Sequence, residues 1–296
     1  MFVVTYRKVW FSLSALLLAA SFYALFAYGF NFSIDFKGGA ITEVRYDATR
    51  PDKEILEDEI GKLGIGGFSI RPSGEDSYVI RTRELSQEDR QKLNLAVGQL
   101  STIERQNTIG PTAGAELQNK ALTAISVVIL MIVLFITFAF RKVSVPVSSW
   151  KYGLATVIAL AHDVIIPTGI FVFLGAIYGI EIDLLFVTGL LAILGYSVHD
   201  TIVVFDRVRE NLRLNQEHNT KEEFDITVGK SVAQTFGRSI NTSVTIFITL
   251  LALYFFGPAA TKHFALLLTL GIIIGTYSSI FVASPLLVTM QKLQKK

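Results

Sequence analysis

No cysteine occurs among the 296 residues, which excludes disulfides and any cysteine-ligated zinc or redox centre. Charge is scarce as well. Asp, Glu, Lys and Arg make up 18% of the chain, against 51% hydrophobic residues. With a mean hydropathy of +0.49, that balance is too apolar for an ordinary water-soluble domain and points to the membrane class. The four histidines, His162, His199, His218 and His263, are scattered without H-E-x-x-H spacing, so no metal is expected. Net charge is only +2, and no basic run with interleaved aromatics suggests nucleic acid. Gly-x-Ser-x-Gly is missing, and Gly229-Lys230-Ser231 lacks the glycine that a phosphate loop needs where Phe224 stands. No catalytic residues and no enzymatic activity are therefore expected.

What the chain has in abundance is long apolar runs. Crossing ~30 Å of hydrocarbon takes ~20 residues, and six stretches qualify: Val9 to Tyr28, Ala121 to Phe140, Gly153 to Tyr178, Leu184 to Val204, Ser239 to Phe256 and Phe264 to Val288. The first follows Arg7 and Lys8 like a signal peptide but is longer than a usual h-region and lacks an A-x-A site after it. It reads as an uncleaved anchor. If the six alternate, Arg7, Lys8, Arg141, Lys142, Lys151, Arg207, Arg209, Arg213, Lys292, Lys295 and Lys296 fall on one side. That side is predicted to be cytoplasmic, with both termini.

The polar segment between the first two spans then lies outside the membrane. Residues 40–46 (AITEVRY) alternate like a half-buried strand. TRPDKEILEDEIGKLG predicts a helix starting at Thr49, with Pro51 in its first turn and a stop at Gly64. GFSIRP and SYVIRTR flank a Ser73-Gly74 turn, Ser86 and Asp89 have capping-box spacing at the head of a second helix, and STIERQNTI closes as a strand. The order βαββαβ predicts an α+β, ferredoxin-like domain on a polytopic α-helical membrane protein. The expected organisation is residues 1–30 for the N-terminus and first span and 31–119 for the extracytoplasmic domain. Residues 120–290 hold the other five spans, with a cytoplasmic loop at about 206–238, and 291–296 form a cytoplasmic tail.

Charged residues inside the spans are the functional candidates, because each costs ~2.5–3.5 kcal/mol at a helix centre. Asp163, in ALAHDVIIP, lies about eleven residues from the cytoplasmic end of its span, ~16 Å deep. Without a cation such a carboxylate suits reversible proton binding; the alternative is a neutral hydrogen bond between helices. His162 is expected to point about 100° away from it, and Pro167 to kink the helix. Asp200 sits deeper than the membrane edge, and either titrates or packs. Arg238, at a similar depth from the same side, either faces Asp200 or snorkels to the surface. Asp206, Arg207 and Arg209 read as interfacial topology anchors. His199, Asn241, Thr242 and Ser243 either line a polar path or pack helices closely.

Five motifs bring a resemblance. DFKGG (Asp35, Gly38, Gly39), IGPTAGAEL (Gly110, Pro111) and AHD (Asp163) occur in order with GYSVHDTIVVFDRVREN (Gly195, Asp200) and RSINTS (Arg238 to Ser243). Together they resemble the SecF family, the smaller membrane subunit of the bacterial SecD–SecF export complex, over nearly the whole chain. The resemblance implies similarity to half of a resistance–nodulation–division transporter, completed by SecD. It implies a place in the bacterial inner membrane beside the SecYEG translocon with YajC and YidC, in the surrounding lipid bilayer. The substrate it implies is an exported unfolded polypeptide, moved with protons as the only coupling species and no cofactor. By motif, Asp200 and Arg238 are the proton-coupling positions it points to, then Asp163. A self-sufficient, proton-coupled small-molecule transporter of the same superfamily and a purely structural assembly subunit are the competing functions.

Overall fold

The protein is described here from a computed structural model covering residues 2–47, 49–98, 101–140, 147–220 and 222–294. Helix α1 (Arg7–Tyr28) is followed by β1 (Gly39–Tyr46), α2 (Lys53–Gly61), β2 (Phe68–Ser73), β3 (Ser77–Thr82), α3 (Gln87–Ala96) and β4 (Ser101–Ile109). The long helices α4 (Pro111–Ala139), α5 (Ser149–Tyr178), α6 (Leu184–Glu217) and α7 (Phe224–Phe256) come next, then α8 (Lys262–Ser278) and α9 (Ser284–Gln294). A π-helical turn, Ser279–Ala283, joins the last two into one span. Among the described residues six helices are long and apolar enough to cross a membrane. The chain is thus a multi-pass helical membrane protein that also carries an antiparallel sheet with helices. Arg141, Lys142, Lys295 and Lys296, invoked above for orientation, lie outside the described residues.

The chain divides into two compact units, Phe32–Thr123 and a second made of Met1–Asn31 with Ala124–Lys296. In the first, the strands run in the order β2-β3-β1-β4, each neighbour antiparallel. Alternation along β1 sends Ala40, Val44 and Tyr46 into a core with Leu56 and Ile60 of α2 and Leu93 of α3, so both helices cover one sheet face. Ser86 accepts a hydrogen bond from the Asp89 N–H (3.1 Å) and starts α3 as its spacing predicted. The start of α2 needs correction. It begins at Lys53 behind Asp52 rather than at Thr49, because the Pro51 carbonyl is taken by the Tyr78 hydroxyl at 2.8 Å and the chain stays extended there.

In the second unit, burial separates inner from outer spans. In the most apolar stretch of each, 56% of α5, 50% of α6 and 56% of the α8–α9 span is buried, against 17% of α1, 6% of α4 and 17% of α7. So α5, α6 and α8 form the centre, with α1 packed on α5 and α7 on α6 and α8. Small residues permit the close approach; a Cβ on Gly169 of α5 would lie 2.5 Å from the backbone Cα of Ser21 on α1. Helix α5 is continuous through Pro167, the Thr168 hydroxyl donating back to the Val164 carbonyl at 2.6 Å. A π-helical irregularity falls before Pro285, whose ring lacks an N–H and crowds the carbonyl four residues back.

Candidate functional site

Asp163 is fully buried at the centre of the bundle. Its Oδ2 accepts from two hydroxyls, Ser197 on α6 at 2.5 Å and Ser278 at the end of α8 at 2.6 Å. Its Oδ1 lies 2.8 Å from His162 Nδ1, and with the carboxyl ionised that nitrogen is the donor. One carboxylate therefore ties α5, α6 and α8 together. This corrects the expectation for His162: neighbouring helical side chains diverge, yet the ring folds back onto Asp163 and stacks on Tyr277, 6.0 Å between centroids. Its Nε2 is buried without a hydrogen-bond partner.

Asp200, 6% exposed, is the second buried carboxylate. Its Oδ1 accepts from the Ser239 hydroxyl on α7 at 2.6 Å, while Oδ2 is buried and makes no hydrogen bond. Arg238 does not pair with it. Arg238 is on the exposed side of α7 and makes no close ion pair among the described residues, although its charge still acts on Asp200; the residue one position on, Ser239, turns inward. Serine occupies this place because it satisfies the oxygen without bringing a second charge into the bundle.

Hydroxyls continue from this pair. Ser243 donates to the Ser239 carbonyl (2.7 Å) and meets Tyr196 (2.7 Å) and Thr276 (2.6 Å). Thr201, next to Asp200, meets Ser279 at 2.8 Å. Of the four polar-path residues only Ser243 lies inside this network; His199, Asn241 and Thr242 are exposed on the outer side of α6 and α7. Gly195 is exposed too, with nothing within 4 Å of where a Cβ would stand. Sequence reasoning missed Ser197, Ser239, Tyr196 and Thr201. The only signal for the two serines was their placement three residues before Asp200 and one after Arg238.

The three anchor residues hold local pairs at the end of α6: Arg209 to Asp206 at 2.5 Å, Arg207 to Glu210 at 2.6 Å, and Arg207 Nε to Gln234 at 2.7 Å. Beyond them Glu222 Oε2 accepts from Asn215 (3.0 Å) and Thr227 (2.9 Å). These bonds, the Asn215 one foremost, hold its carboxyl below the ordinary glutamate range.

In the unit Phe32–Thr123 the DFKGG and IGPTAG motifs interlock. Ser33 caps the short helix Ile34–Lys37 by accepting from the Asp35 N–H at 3.1 Å. Gly38 (φ +74°) and Gly39 (φ +130°) then turn the chain into β1. A Cβ on Gly38 would sit 2.9 Å from Pro111 Cα, and one on Gly114 would sit 2.9 Å from the Gly38 nitrogen. Gly110 and Pro111 thus close the seam where β4 becomes α4, and only glycine lets the two segments touch.

A bundle that buries two carboxylates under hydroxyl donors, joined to an antiparallel sheet domain, defines a class of polytopic membrane protein built around polar intramembrane residues. Within that class the particular match is specific. Residues 90–293 match the family described as protein export membrane protein SecD/SecF, C-terminal, and residues 23–49 the SecD/SecF GG motif. The chain is 39% identical to the protein translocase subunit SecF of Thermobaculum terrenum, covering 98% of this chain and 93% of that one. To the SecF subunit of Haemophilus influenzae it is 35% identical, over 94% and 82%. A crystal structure of SecDF, a translocon-associated membrane protein from Thermus thermophilus, is similar at a TM-score of 0.84 and 33% identity over 98% of this chain. A second, of SecDF in a super-membrane-facing form, gives 0.66. The chain spans 38% of the length of the first SecDF chain. It belongs to the SecF family, a family of protein translocase subunits.

Proposed function

We propose that this chain is an accessory subunit of the Sec export machinery that pairs with SecD and uses the proton-motive force to promote late movement of preproteins. The observation that carries the reading is the pair of buried carboxylates, Asp163 and Asp200, held in the membrane by hydroxyls rather than by basic side chains other than His162. A hydroxyl donates to an ionised carboxylate and accepts from a protonated one, so such a site serves both states. Moving one charge through 100 mV supplies ~2.3 kcal/mol, enough for a few protons to bias helix packing. The chain sits in the bacterial inner membrane with both termini cytoplasmic. Its sheet unit is a ferredoxin-like domain carried outside between the first two spans; the βαββαβ order and the β2-β3-β1-β4 sheet support that assignment.

SecD covers the outer side of α6 and α7, where Gly195, His199, Arg238, Asn241 and Thr242 are exposed. Arg238 then acts toward the partner rather than as the ion pair of Asp200. SecYEG, YajC, YidC and the exported polypeptide are the remaining partners. That same outer side favours a second reading, an assembly subunit whose polar residues only hold SecD. The two separate in vesicles carrying Asp200→Asn. The proton reading expects the complex to co-purify intact while gradient-dependent release of a precursor is lost. Unchanged release overturns a titrating role for Asp200, and dissociation of the complex favours assembly.

A further inference from the structure

The π-helical turn Ser279–Ala283 lies between two sites that also meet through Ser197, whose hydroxyl donates to Asp163 and whose carbonyl lies 3.5 Å from the Ser279 hydroxyl. Ser278, immediately before it, donates to Asp163. Ser279, its first residue, meets Thr201, the residue after Asp200, at 2.8 Å. Two consecutive hydroxyls on one backbone thus reach the Asp163 carboxylate and the immediate neighbour of Asp200. The turn is widened by Pro285, which cannot donate to the Phe281 carbonyl, and Ser284 donates its hydroxyl back to the Ser279 carbonyl at 3.1 Å. Such turns are rare in helices and recur at functional positions.

We propose that Ser278 and Ser279 are positioning residues that couple protonation of Asp163 to that of Asp200 through the π-turn. The inference rests on the proton-linked reading above and adds a link between its two sites. The chemistry is in the choice of acceptor. Ser278 Oγ lies 2.6 Å from Asp163 Oδ2 and 3.0 Å from the Gly275 carbonyl. With Asp163 ionised, the hydroxyl donates to the carboxylate. When Oδ2 gains a proton, it becomes a donor, Ser278 accepts, and the serine hydrogen goes to Gly275. That reversal acts on the first residues of a turn lacking the regular α-helical ladder, so Ser279 moves with it and its hold on Thr201, and through Thr201 the setting of Asp200, changes. The titratable and charged groups acting on the two sites are His162 at Asp163, and His199 and Arg238 at Asp200.

The test is an infrared titration of the purified, partner-bound complex, following the Asp163 carboxyl band isolated by subtracting the Asp163→Asn spectrum. Asp200→Asn is expected to change the proton affinity of Asp163 by on the order of fivefold or more. The change is expected to vanish in a Ser279→Ala background and to persist with Ser279→Thr, which keeps the hydroxyl. No change on Asp200→Asn, an equal change with Ser279→Ala, or its loss with Ser279→Thr overturns the proposal. The readout needs no export, so failure of the proton-driven function and failure of this coupling are told apart.

Discussion

Replacing Asp163 by Ala and by Asn separates what the carboxylate holds from what it titrates. Three buried donors converge on it, His162 Nδ1, Ser197 Oγ and Ser278 Oγ, and none is more than 3% exposed. In Asp163→Ala, Ser278 falls back on the Gly275 carbonyl at 3.0 Å, while the Ser197 hydroxyl and the His162 N–H are orphaned. An unsatisfied buried group costs ~1–3 kcal/mol, so the loss is about 2–6 kcal/mol, offset in part because a buried charge has gone with it. In Asp163→Asn the amide oxygen can take the Oδ2 place and keep both serines. The amide N–H₂ then faces His162, which moves its proton to Nε2. That nitrogen already has no partner, so the number of orphaned groups hardly changes and the cost is about 1 kcal/mol. Heating the detergent-solubilised complex and following the folded fraction by size exclusion should rank native above Asn above Ala, with the larger gap between Asn and Ala. Equal stability of the two variants would refute the claim that this carboxylate ties three spans together. Gradient-dependent release that survives in Asp163→Asn would leave Asp200 as the titrating group.

What could be read from the sequence was what local pattern records. The six spans follow from run length, and Ser86 was legible because a cap and its N–H are three residues apart. Asp163 stood out because a charge in hydrocarbon needs an explanation wherever its partners are. Those partners were not legible: Ser278 lies 115 positions away, and Ser197 is a small polar residue in an apolar run, a placement that ordinary helix packing also produces. The choice between the two readings of Arg238 was not legible for a related reason. Depth along a helix can be counted, but the side that faces inward depends on rotation, and one residue of rotation puts Ser239 against Asp200 and Arg238 outside. His162 was assigned by the 100° rule, which describes where Cβ points and not where a ring can fold. The π-turn did leave a mark, Pro285 within the last apolar run, whereas Pro167 in α5 is absorbed without a break. A proline shows where a helix loses a hydrogen bond; the neighbours decide whether the backbone yields.

Two further perturbations test the seam of the sheet unit and the loop before α7. Gly114→Ala puts a Cβ 2.9 Å from the Gly38 nitrogen and 3.1 Å from the Phe36 carbonyl oxygen, both backbone, and is expected to cost about 1–3 kcal/mol; Gly61→Ala, with nothing within 4 Å, serves as the control. Faster proteolysis of the sheet unit in the first variant only is the expected outcome, and equal rates would mean the seam yields. The last prediction concerns acid. Because the Asn215 and Thr227 bonds hold the Glu222 carboxyl below its unfolded value, its stabilisation is fully present above the unfolded value of ~4.3. It is lost as pH falls through the lower folded value, where protonation removes an acceptor. Lys230, 3.9 Å from Oε1, adds little at such an exposed distance. Glu222→Gln keeps an oxygen for Asn215 and Thr227 but has no proton to gain, so its unfolding midpoint should fall less steeply in acid than the native one. Parallel pH profiles below ~4.3 would mean that these hydrogen bonds form equally well with the protonated acid, and that the loop derives no stability from the charge.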